Sequence, residues 1–301
     1  MVDFSNCLKR SKPFDGANGK KFAVMYNGAW YMIKQPQIAK KNIDMHYTIS
    51  CVSEYIGCHI FEQVDVPVQE TILGTYKGNA CVACKDFESK EWKIKSFAAL
   101  KNTVIDSSEN GFGTELEDML YSIDNQMLLD PVEVNQRFWD MFIVDALIGN
   151  WDRHNGNWGL LYNEELDSAV LAPVFDCASS LYPQADDTIM QMVLENQGER
   201  NTRIYNIPVS KITINGTRIN YFDFISSLKN KECNEALKRI VPRLDMSKIN
   251  ILIDNIEYIS DLQKTFYKTM LNERKQIILD KPLEKLLESE KGEKHDSIKK
   301  R

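Results

Sequence analysis

The sequence predicts an α+β fold with two lobes, a small β-rich unit followed by a larger, mainly helical unit. Three observations carry this prediction. Asn27-Gly28 stands between two short apolar segments, and this is the strongest short-range signal of a β-hairpin, because both turn residues must tolerate positive φ. Apolar residues then recur at three- and four-residue steps from Met45 to Ile60, which is the helical period. From Pro131 onward the patterns are mostly helical.

The composition is that of an ordinary globular protein and argues against several functional classes. The chain has 301 residues, of which 43% are hydrophobic and 27% charged, with a formal net charge of −6. Such a chain has no strong field to attract phosphate backbones, so nucleic acid is not an expected partner. No apolar run approaches the length of about 18 residues that spans a bilayer, and the N-terminus has no stretch of signal-peptide type. We expect cytoplasmic synthesis without membrane insertion, and secretion without a signal peptide stays open.

The cysteines are scattered and odd in number, which does not resemble a disulfide framework. Seven cysteines are present, and Cys81 and Cys84 form a lone C-x-x-C. A zinc site of this type needs a second ligand pair at matching spacing, and the sequence offers none. We therefore expect reduced, buried cysteines with a structural role.

The first predicted unit, residues 1–88, begins with a polar, turn-rich stretch. Its strands are expected at 22–26, 30–33, 64–74 and 79–87, with turns at Asn27-Gly28 and Lys77-Gly78 and a helix at 44–63. Lys34 directly follows the second strand, and Pro36 ends it.

The second predicted unit, residues 89–285, is mainly helical. Its firmest helix begins at Pro131 after the N-cap Asp130 and ends near Gly149. Further elements are expected at 91–128 (one or two helices), 158–162 and 169–175 (strands), around Asn215-Gly216 (a hairpin), and from Tyr221, at 232–241 and at 246–277 (helices). Residues 286–301 are charged and poor in apolar residues, so we expect a disordered tail.

The residues with the clearest chemical potential lie between positions 150 and 176. Asp152 is followed five residues later by Asn157, and Asp176 comes after a short predicted hairpin. Protein-kinase catalytic loops place an aspartate and an asparagine at this spacing, and a metal-binding aspartate follows a hairpin. Phosphoryl transfer needs oxygen ligands for Mg²⁺ and a separate carboxylate for the acceptor hydroxyl. The pattern therefore favours a phosphotransferase over a solvated polar turn.

These segments resemble one known family. The run 147–157 and the stretch 173–176 resemble the HipA-like serine/threonine kinases of bacteria, and the similarity extends over most of the chain. The segment 266–274 shares this resemblance. Because the chain starts at the expected phosphate loop, it is most similar to the compact, stand-alone members, the cell-translocating pro-inflammatory type of Helicobacter. The resemblance implies a two-lobed, protein-kinase-like fold.

The resemblance also implies ATP and Mg²⁺ as cofactors and assigns roles to individual residues. Asp152 is the implied catalytic carboxylate, and His154 beside it is a second catalytic candidate that alternatively braces the loop. Asn157 and Asp176 are the implied Mg²⁺ ligands. Contacts with the ATP phosphates are implied for Gly16, Ala17, Asn18, Gly19 and Lys20, and contacts with adenine for Val82, Ala83, Cys84 and Lys85. Lys34 is the implied ATP lysine, held by an ion pair with Glu54 on the predicted helix.

The implied partner is a protein substrate with a serine or threonine acceptor, the chain itself included, with a host or antitoxin-like partner implied by resemblance alone.

Several departures from the orthodox kinase pattern leave alternative functions open. The chain has no complete G-x-G-x-x-G, and Cys177-Ala178 follows Asp176 where orthodox kinases have D-F-G. Asp152-Arg153-His154 also resembles the catalytic D-R-H of phosphatidylinositol kinases. A small-molecule or lipid kinase and a nucleotide-binding pseudokinase therefore remain as alternatives. Asp145, on the preceding helix, is a candidate for orienting the loop.

Overall fold

The computed structural model describes residues 2–12, 22–38, 46–47, 50–106 and 108–299. The strands are β1 Val2–Asp3, β2 Lys9–Arg10, β3 Phe22–Tyr26, β4 Ala29–Lys34, β5 Gln37–Ile38, β6 His46–Tyr47, β7 Thr71–Tyr76, β8 Asn79–Lys85, β9 Trp92–Ser96, β10 Gly159–Asn163, β11 Ser168–Leu171, β12 Thr213–Ile214 and β13 Thr217–Arg218. The α-helices are α1 Ser50–Gln63, α2 Phe97–Val104, α3 Leu116–Asn125, α4 Pro131–Ile148, α5 Asp187–Glu195, α6 Gln197–Asn201, α7 Tyr221–Ser227, α8 Lys231–Ile240, α9 Met246–Asp254, α10 Asp261–Arg274 and α11 Lys281–Lys299. Thr202–Asn206 and Lys275–Asp280 are π-helical, and Val241–Arg243 form a 3₁₀ turn. Within these described ranges, no helix has the length and apolar content needed to cross a bilayer.

A six-stranded sheet forms most of the N-terminal part, in the order β1-β7-β8-β4-β3-β2. All its pairings are antiparallel except β1 with β7. The predicted hairpin turn is confirmed, since Asn27 and Gly28 both adopt positive φ, at 47° and 80°. The predicted turn between β7 and β8 is confirmed in the same way at Lys77 and Gly78. The sheet places the end of β4, and with it Lys34, opposite Val82 on the central strand β8.

Helix α1 packs against this sheet and begins later than predicted. The sequence predicts a helix over 44–63, whereas α1 starts at Ser50 and residues 46–47 pair with 37–38 as strands. Hydrophobic periodicity does not mark a helix start, because apolar residues of a preceding extended segment can fall on the same period. The buried face of α1 includes Val52, Ile56 and Ile60, as the period predicts.

Helix α4 is the axis of the helical part. The predicted N-cap is confirmed, because the Asp130 side chain accepts a hydrogen bond from the Val132 amide. The predicted end is confirmed too, at Gly149 with φ 66°, a left-handed C-cap that favours glycine. Every residue of α4 from Phe138 to Ile148 is buried, which is the pattern of a helix surrounded by its neighbours.

A three-stranded antiparallel sheet, β11-β10-β9, lies beside α2 and leads to Asp176. The sequence predicts that the second strand continues to Phe175, but β11 ends at Leu171. The chain then leaves the sheet and follows the segment after α1 instead. The Val174 amide donates to the Pro67 carbonyl at 2.8 Å, and the Gln69 amide donates to the Val174 carbonyl at 2.8 Å. This bridge joins the approach to Asp176 to the N-terminal part.

Two predictions for the C-terminal region are wrong. The helix expected over 246–277 is two helices, α9 and α10, because Ser260 and Gln263 form a capping box that starts α10. The tail expected to be disordered from residue 286 is helical up to Lys299. Composition suggested disorder, but Leu286 is buried, and Glu290 accepts a hydrogen bond from Lys238 on α8 at 2.9 Å.

Arg274, at the end of α10, is fully buried and joins α10 to the end of α4. Its guanidinium donates to the carbonyls of Ala146 and Leu147, in the last turn of α4, at 2.7–3.1 Å. It also donates to the Arg203 carbonyl at 2.7 Å and to the Tyr182 hydroxyl at 3.2 Å. A cation at the C-terminus of a helix is stabilised by the helix dipole and satisfies carbonyls that have no partner within the helix.

We predict that Arg274→Met lowers the free energy of unfolding by about 3–5 kcal/mol, because several buried carbonyls lose their donor at once. Chemical denaturation followed by circular dichroism measures this change. The matched control is Arg218→Met, at an exposed position, which is expected to change stability by less than about 0.5 kcal/mol. Equal stability of the two variants would contradict the assigned function of Arg274 in the core.

Candidate active site

Lys34 lies between two carboxylates that come from distant parts of the chain. Its Nζ atom is 3.0 Å from Asp176 Oδ1 and 3.1 Å from Glu54 Oε1. Strand β4 presents the lysine, α1 presents Glu54, and the segment after Val174 presents Asp176. The ion pair between Lys34 and Glu54 expected from the sequence is therefore present. The side chain of Lys34 is 16% exposed and that of Glu54 is fully buried.

This environment keeps Lys34 charged. Burial alone lowers the pKa of an ammonium group, but the Asp176 and Glu54 carboxylates outweigh it and hold the pKa of Lys34 well above its ordinary value. No hydrogen bond to either Glu54 oxygen is present among the described residues. The ammonium of Lys34 is thus the main compensation for a buried carboxylate.

The loop after α4, residues 149–157, is ordered by its own polar groups. The Asn150 side chain accepts from the Asp152 amide at 3.1 Å. The Asn157 side-chain amide donates to the Asp152 carbonyl at 2.9 Å, which closes the loop across the five-residue spacing. Tyr221 on α7 donates its hydroxyl to the Asn150 carbonyl at 2.6 Å. The Asp152 side chain remains 31% exposed, at the surface of this rigid turn.

Arg153 is buried at the centre of the loop. Its side chain contacts both the loop that carries Asp152 and the segment that leads to Asp176. Its Nε donates to Asp145 Oδ2 at 2.9 Å, and its Nη2 donates to Asp145 Oδ1 at 3.2 Å. Its Nη1 donates to the carbonyl of Asn157 at 3.0 Å and to the carbonyl of Phe175. The pKa of Arg153 is raised, because the attraction of Asp145 exceeds the effect of burial. Asp145 also accepts from the Asn150 side chain at 3.0 Å, so it contacts the loop that we expect it to orient.

His154 and Asn155 hold the outer part of the loop. The Gly156 amide donates to His154 Nδ1 at 2.9 Å, which places the proton of a neutral ring on Nε2. This contact fits the bracing alternative for His154. Asn155 is buried, and its side chain donates to the carbonyls of Gly111 and Gly113 at 2.8 and 2.9 Å. No feature of the sequence distinguished Asn155 from ordinary turn residues.

Asp176 adopts a left-handed backbone conformation with φ 60°. Aspartate tolerates this region better than most residues, and such conformations concentrate at functional sites. The next residue, Cys177, is buried against α1, where Gly57 leaves room for it. A Cβ atom at position 57 would lie 2.7 Å from the Cys177 Cβ. The turn thus directs the Asp176 side chain toward Lys34 while Cys177 anchors the backbone.

The structure corrects the prediction for adenine recognition. Val82, Ala83 and Cys84 lie inside the central strand β8 and pair with β4 on one side and β7 on the other. The Lys85 carbonyl accepts from the side chain of Gln69 at 2.8 Å. These backbone groups therefore already have partners within the sheet or on Gln69, which disfavours them as the groups that recognise a base. Sequence placed the strand correctly but could not show that two neighbours flank it.

The expected phosphate loop, Gly16, Ala17, Asn18, Gly19 and Lys20, lies outside the described residues. All seven cysteines lie within them, and none forms a disulfide. Among the described residues, no group of three or more histidine, cysteine, aspartate and glutamate side chains is arranged to hold a metal by itself.

Comparison with known proteins gives three strong matches and a weaker one. A family model described as HipA-like C-terminal domain matches residues 16–247. The chain is 48% identical over 281 residues to the serine/threonine-protein kinase CtkA of Helicobacter pylori strain J99, over 93% of this chain and 86% of that protein. The crystal structure of a Helicobacter pylori proinflammatory kinase CtkA matches with a TM-score of 0.91 and 46% identity, over 95% of this chain and 98% of that one.

A more distant match is HipA of Shewanella oneidensis MR-1, solved with HipB and operator DNA, with a TM-score of 0.55 and 14% identity over 91% of this chain and 68% of that chain. At this identity it supports the fold alone. The two-lobed, kinase-like fold class, the family resemblance and the enzyme class predicted from the sequence are confirmed by these matches together. The chain is therefore a phosphotransferase with a kinase fold, and it belongs to the HipA-like C-terminal domain family.

Proposed function

We propose that this chain is a serine/threonine protein kinase that transfers the γ-phosphoryl group of ATP to a protein hydroxyl with the help of Mg²⁺. One observation carries the proposal. Lys34 contacts both Glu54 and Asp176, while Arg153 fastens the loop of Asp152 to the backbone just before Asp176. A lysine, a metal-type carboxylate and a second carboxylate in separate positions are the groups that phosphoryl transfer requires.

The donor atoms fit Mg²⁺. The Asn157 side chain uses its nitrogen to donate to the Asp152 carbonyl, so its oxygen is the atom that remains for a cation. Together with the Asp176 carboxylate it supplies hard oxygen ligands, and Mg²⁺ is commonly held by one or two such groups, waters and substrate phosphates. When bound, the metal neutralises charge on the phosphates. We propose Asn157 and Asp176 as its protein ligands.

The chain's own residues perform the remaining tasks by position and charge. Asp152, exposed on its rigid loop, orients the acceptor hydroxyl and takes its proton as the new oxygen–phosphorus bond forms. Lys34, kept protonated by its two carboxylates, pairs with the phosphates of ATP. After β8, the Asp86 amide donates to the Trp30 carbonyl and the Glu88 amide donates to Asp86 Oδ1, so we propose the backbone of Phe87 for this contact. Phe87 there lies beside Phe175, with ring centroids 5.8 Å apart.

A protein acceptor is supported by the name of the Helicobacter relative, a serine/threonine-protein kinase. We propose the chain itself as the first acceptor to examine, and a separate protein as the physiological one. Cytoplasmic synthesis, and export without a signal peptide, stay predictions from the sequence. Phosphate transfer to a lipid or small molecule, or nucleotide binding without transfer, are the outcomes that would replace this proposal.

Asp152→Asn is expected to lower the rate of phosphoryl transfer about 10²- to 10⁴-fold, because the amide cannot take the hydroxyl proton. Labelled ATP and MgCl₂ are incubated with the protein and a general acceptor protein, and acid hydrolysis identifies phosphoserine and phosphothreonine. Asp124→Asn, at an exposed position of α3, is the matched control and should keep the wild-type rate. A wild-type rate in the Asp152 variant, or label confined to a lipid or small-molecule fraction, would falsify the assignment.

Asp176→Asn is expected to raise the Mg²⁺ concentration needed for nucleotide binding by at least about tenfold, because a charged ligand becomes a neutral one. The binding of a fluorescent ATP analogue is titrated with MgCl₂, and EDTA should reverse it in the wild type. Asp124→Asn again serves as control. If the two variants need the same Mg²⁺ concentration, Asp176 is not a metal ligand.

Glu54→Gln is expected to lower kcat/KM for ATP about 10- to 100-fold, because Lys34 loses one of the two charges that hold it and a charge-assisted contact is worth about 1.5–3 kcal/mol. Glu62→Gln, on the same helix but with a side chain 70% exposed, is the matched control and should leave this ratio unchanged. Steady-state kinetics at varied ATP concentration measure both. Equal kinetics of the two variants exclude Glu54 as the partner that positions Lys34.

A further inference from the structure

A second lysine approaches the candidate catalytic carboxylate from a distant segment. Lys211 Nζ lies 3.8 Å from Asp152 Oδ1, and the two side chains are 34% and 31% exposed. Of the ion pairs formed within the described part of the chain, this is the one that includes Asp152. No motif in the sequence singled out Lys211, which stands 59 positions after Asp152.

The backbone on both sides of Lys211 is held by hydrogen bonds. The Thr114 hydroxyl donates to the Lys211 carbonyl at 2.9 Å, and the Thr213 amide donates to the Thr114 carbonyl at 2.9 Å. The Ser210 amide donates to the Ile219 carbonyl at 2.8 Å. Ile212, the next residue, is buried in the main core. Fixed neighbours on both sides restrict where the lysine side chain can reach.

The charges nearby show why this position matters. Phosphoryl transfer gathers negative charge from the phosphates and from Asp152 in one place. Arg153 is buried, pairs with Asp145 and donates hydrogen bonds to backbone carbonyls. Lys34 lies on the Asp176 side of the site, between Glu54 and Asp176. The catalytic loop itself carries no lysine between residues 149 and 157. Lys211 brings positive charge to the Asp152 side.

We propose that Lys211 is a further residue of the transfer site, which orients Asp152 and neutralises charge on the phosphoryl group during transfer. This inference rests on the proposed kinase function. In the reaction the acceptor oxygen bonds to the γ-phosphorus, the bond to the bridging oxygen of ADP breaks, and the acceptor proton passes to Asp152. Lys211 stays protonated throughout and exchanges no proton. A separation of 3.8 Å from Asp152 leaves room for an oxygen to lie within about 2.8 Å of Nζ.

The test compares Lys211→Met, Lys211→Arg and a matched control, Lys268→Met. Lys268 is 30% exposed and pairs with Asp254 at 2.6 Å on helices away from the site, so it matches Lys211 in exposure and in having one carboxylate partner. We measure kcat with labelled ATP and an acceptor protein, the Kd of a fluorescent ATP analogue with MgCl₂, and the melting temperature.

We expect Lys211→Met to lower kcat about 10²- to 10³-fold, the range for removing one group that stabilises transition-state charge, with little change in ATP affinity or melting temperature. Lys211→Arg should recover part of the lost rate, because it keeps the charge in a different shape. Lys268→Met should match the wild type. If Lys211 only supported the fold, Lys211→Met would lower the melting temperature and the ATP affinity together with kcat.

Three results would overturn the inference, and they are distinguishable. If the wild type is active and Lys211→Met keeps its kcat, Lys211 has no function in transfer, while the proposed kinase function stands. If Lys211→Met loses stability and ATP binding in proportion to kcat, Lys211 supports the fold only. If the wild type transfers phosphate to no acceptor, the proposed function fails and this inference fails with it.

Discussion

The buried ion pair of Asp145 and Arg153 is the interaction on which the rest of the site depends. Isolated charges are strongly disfavoured in a protein interior, so a buried guanidinium is stable only where acceptors surround it. Here the acceptors are the carboxylate of Asp145 on α4, the Asn157 carbonyl at the end of the loop and the Phe175 carbonyl before Asp176. One side chain therefore fixes the relative positions of both acidic segments. The geometry of the site follows from satisfying Arg153.

The second constraint is the balance of charge around Lys34. One ammonium lies between the two carboxylates of Glu54 and Asp176, so the cluster has a net negative charge while all three are ionised. A triphosphate brought to this position alone meets repulsion, whereas a divalent cation beside Asp176 offsets it. The proposed use of Mg²⁺ is thus supported by the charges on the chain as well as by those of the nucleotide. The close packing of Gly57 on Cys177 keeps α1, and hence Glu54, beside Asp176.

The sequence was informative where a local rule determines the conformation. The cap at Gly149 was predictable because a left-handed C-cap favours glycine. Asp152 and Asn157 could be proposed as site residues because their spacing within one loop is itself local. The predictions that failed depend on tertiary contacts. Whether Val82 has one or two strand neighbours, whether residues 286–290 find a surface to pack on, and which lysine approaches Asp152 all depend on distant segments. Lys211 lies in such a segment, and only the fold brings it to the site.

The segment after Asp176 argues against one common form of kinase control. In D-F-G kinases a glycine and an aromatic residue allow the segment to rotate between active and inactive positions. Here Asp176 already has its left-handed conformation, contacts Lys34, and is followed by a fully buried Cys177 that accepts from Arg153 Nη2 at 3.5 Å. Rotation would expose the thiol, remove a contact of a buried cation and separate the Lys34 pair, and each change is unfavourable. The Asp176 carboxylate is thus held in one position by the core, which disfavours control of transfer by a rotation of the D-F-G type.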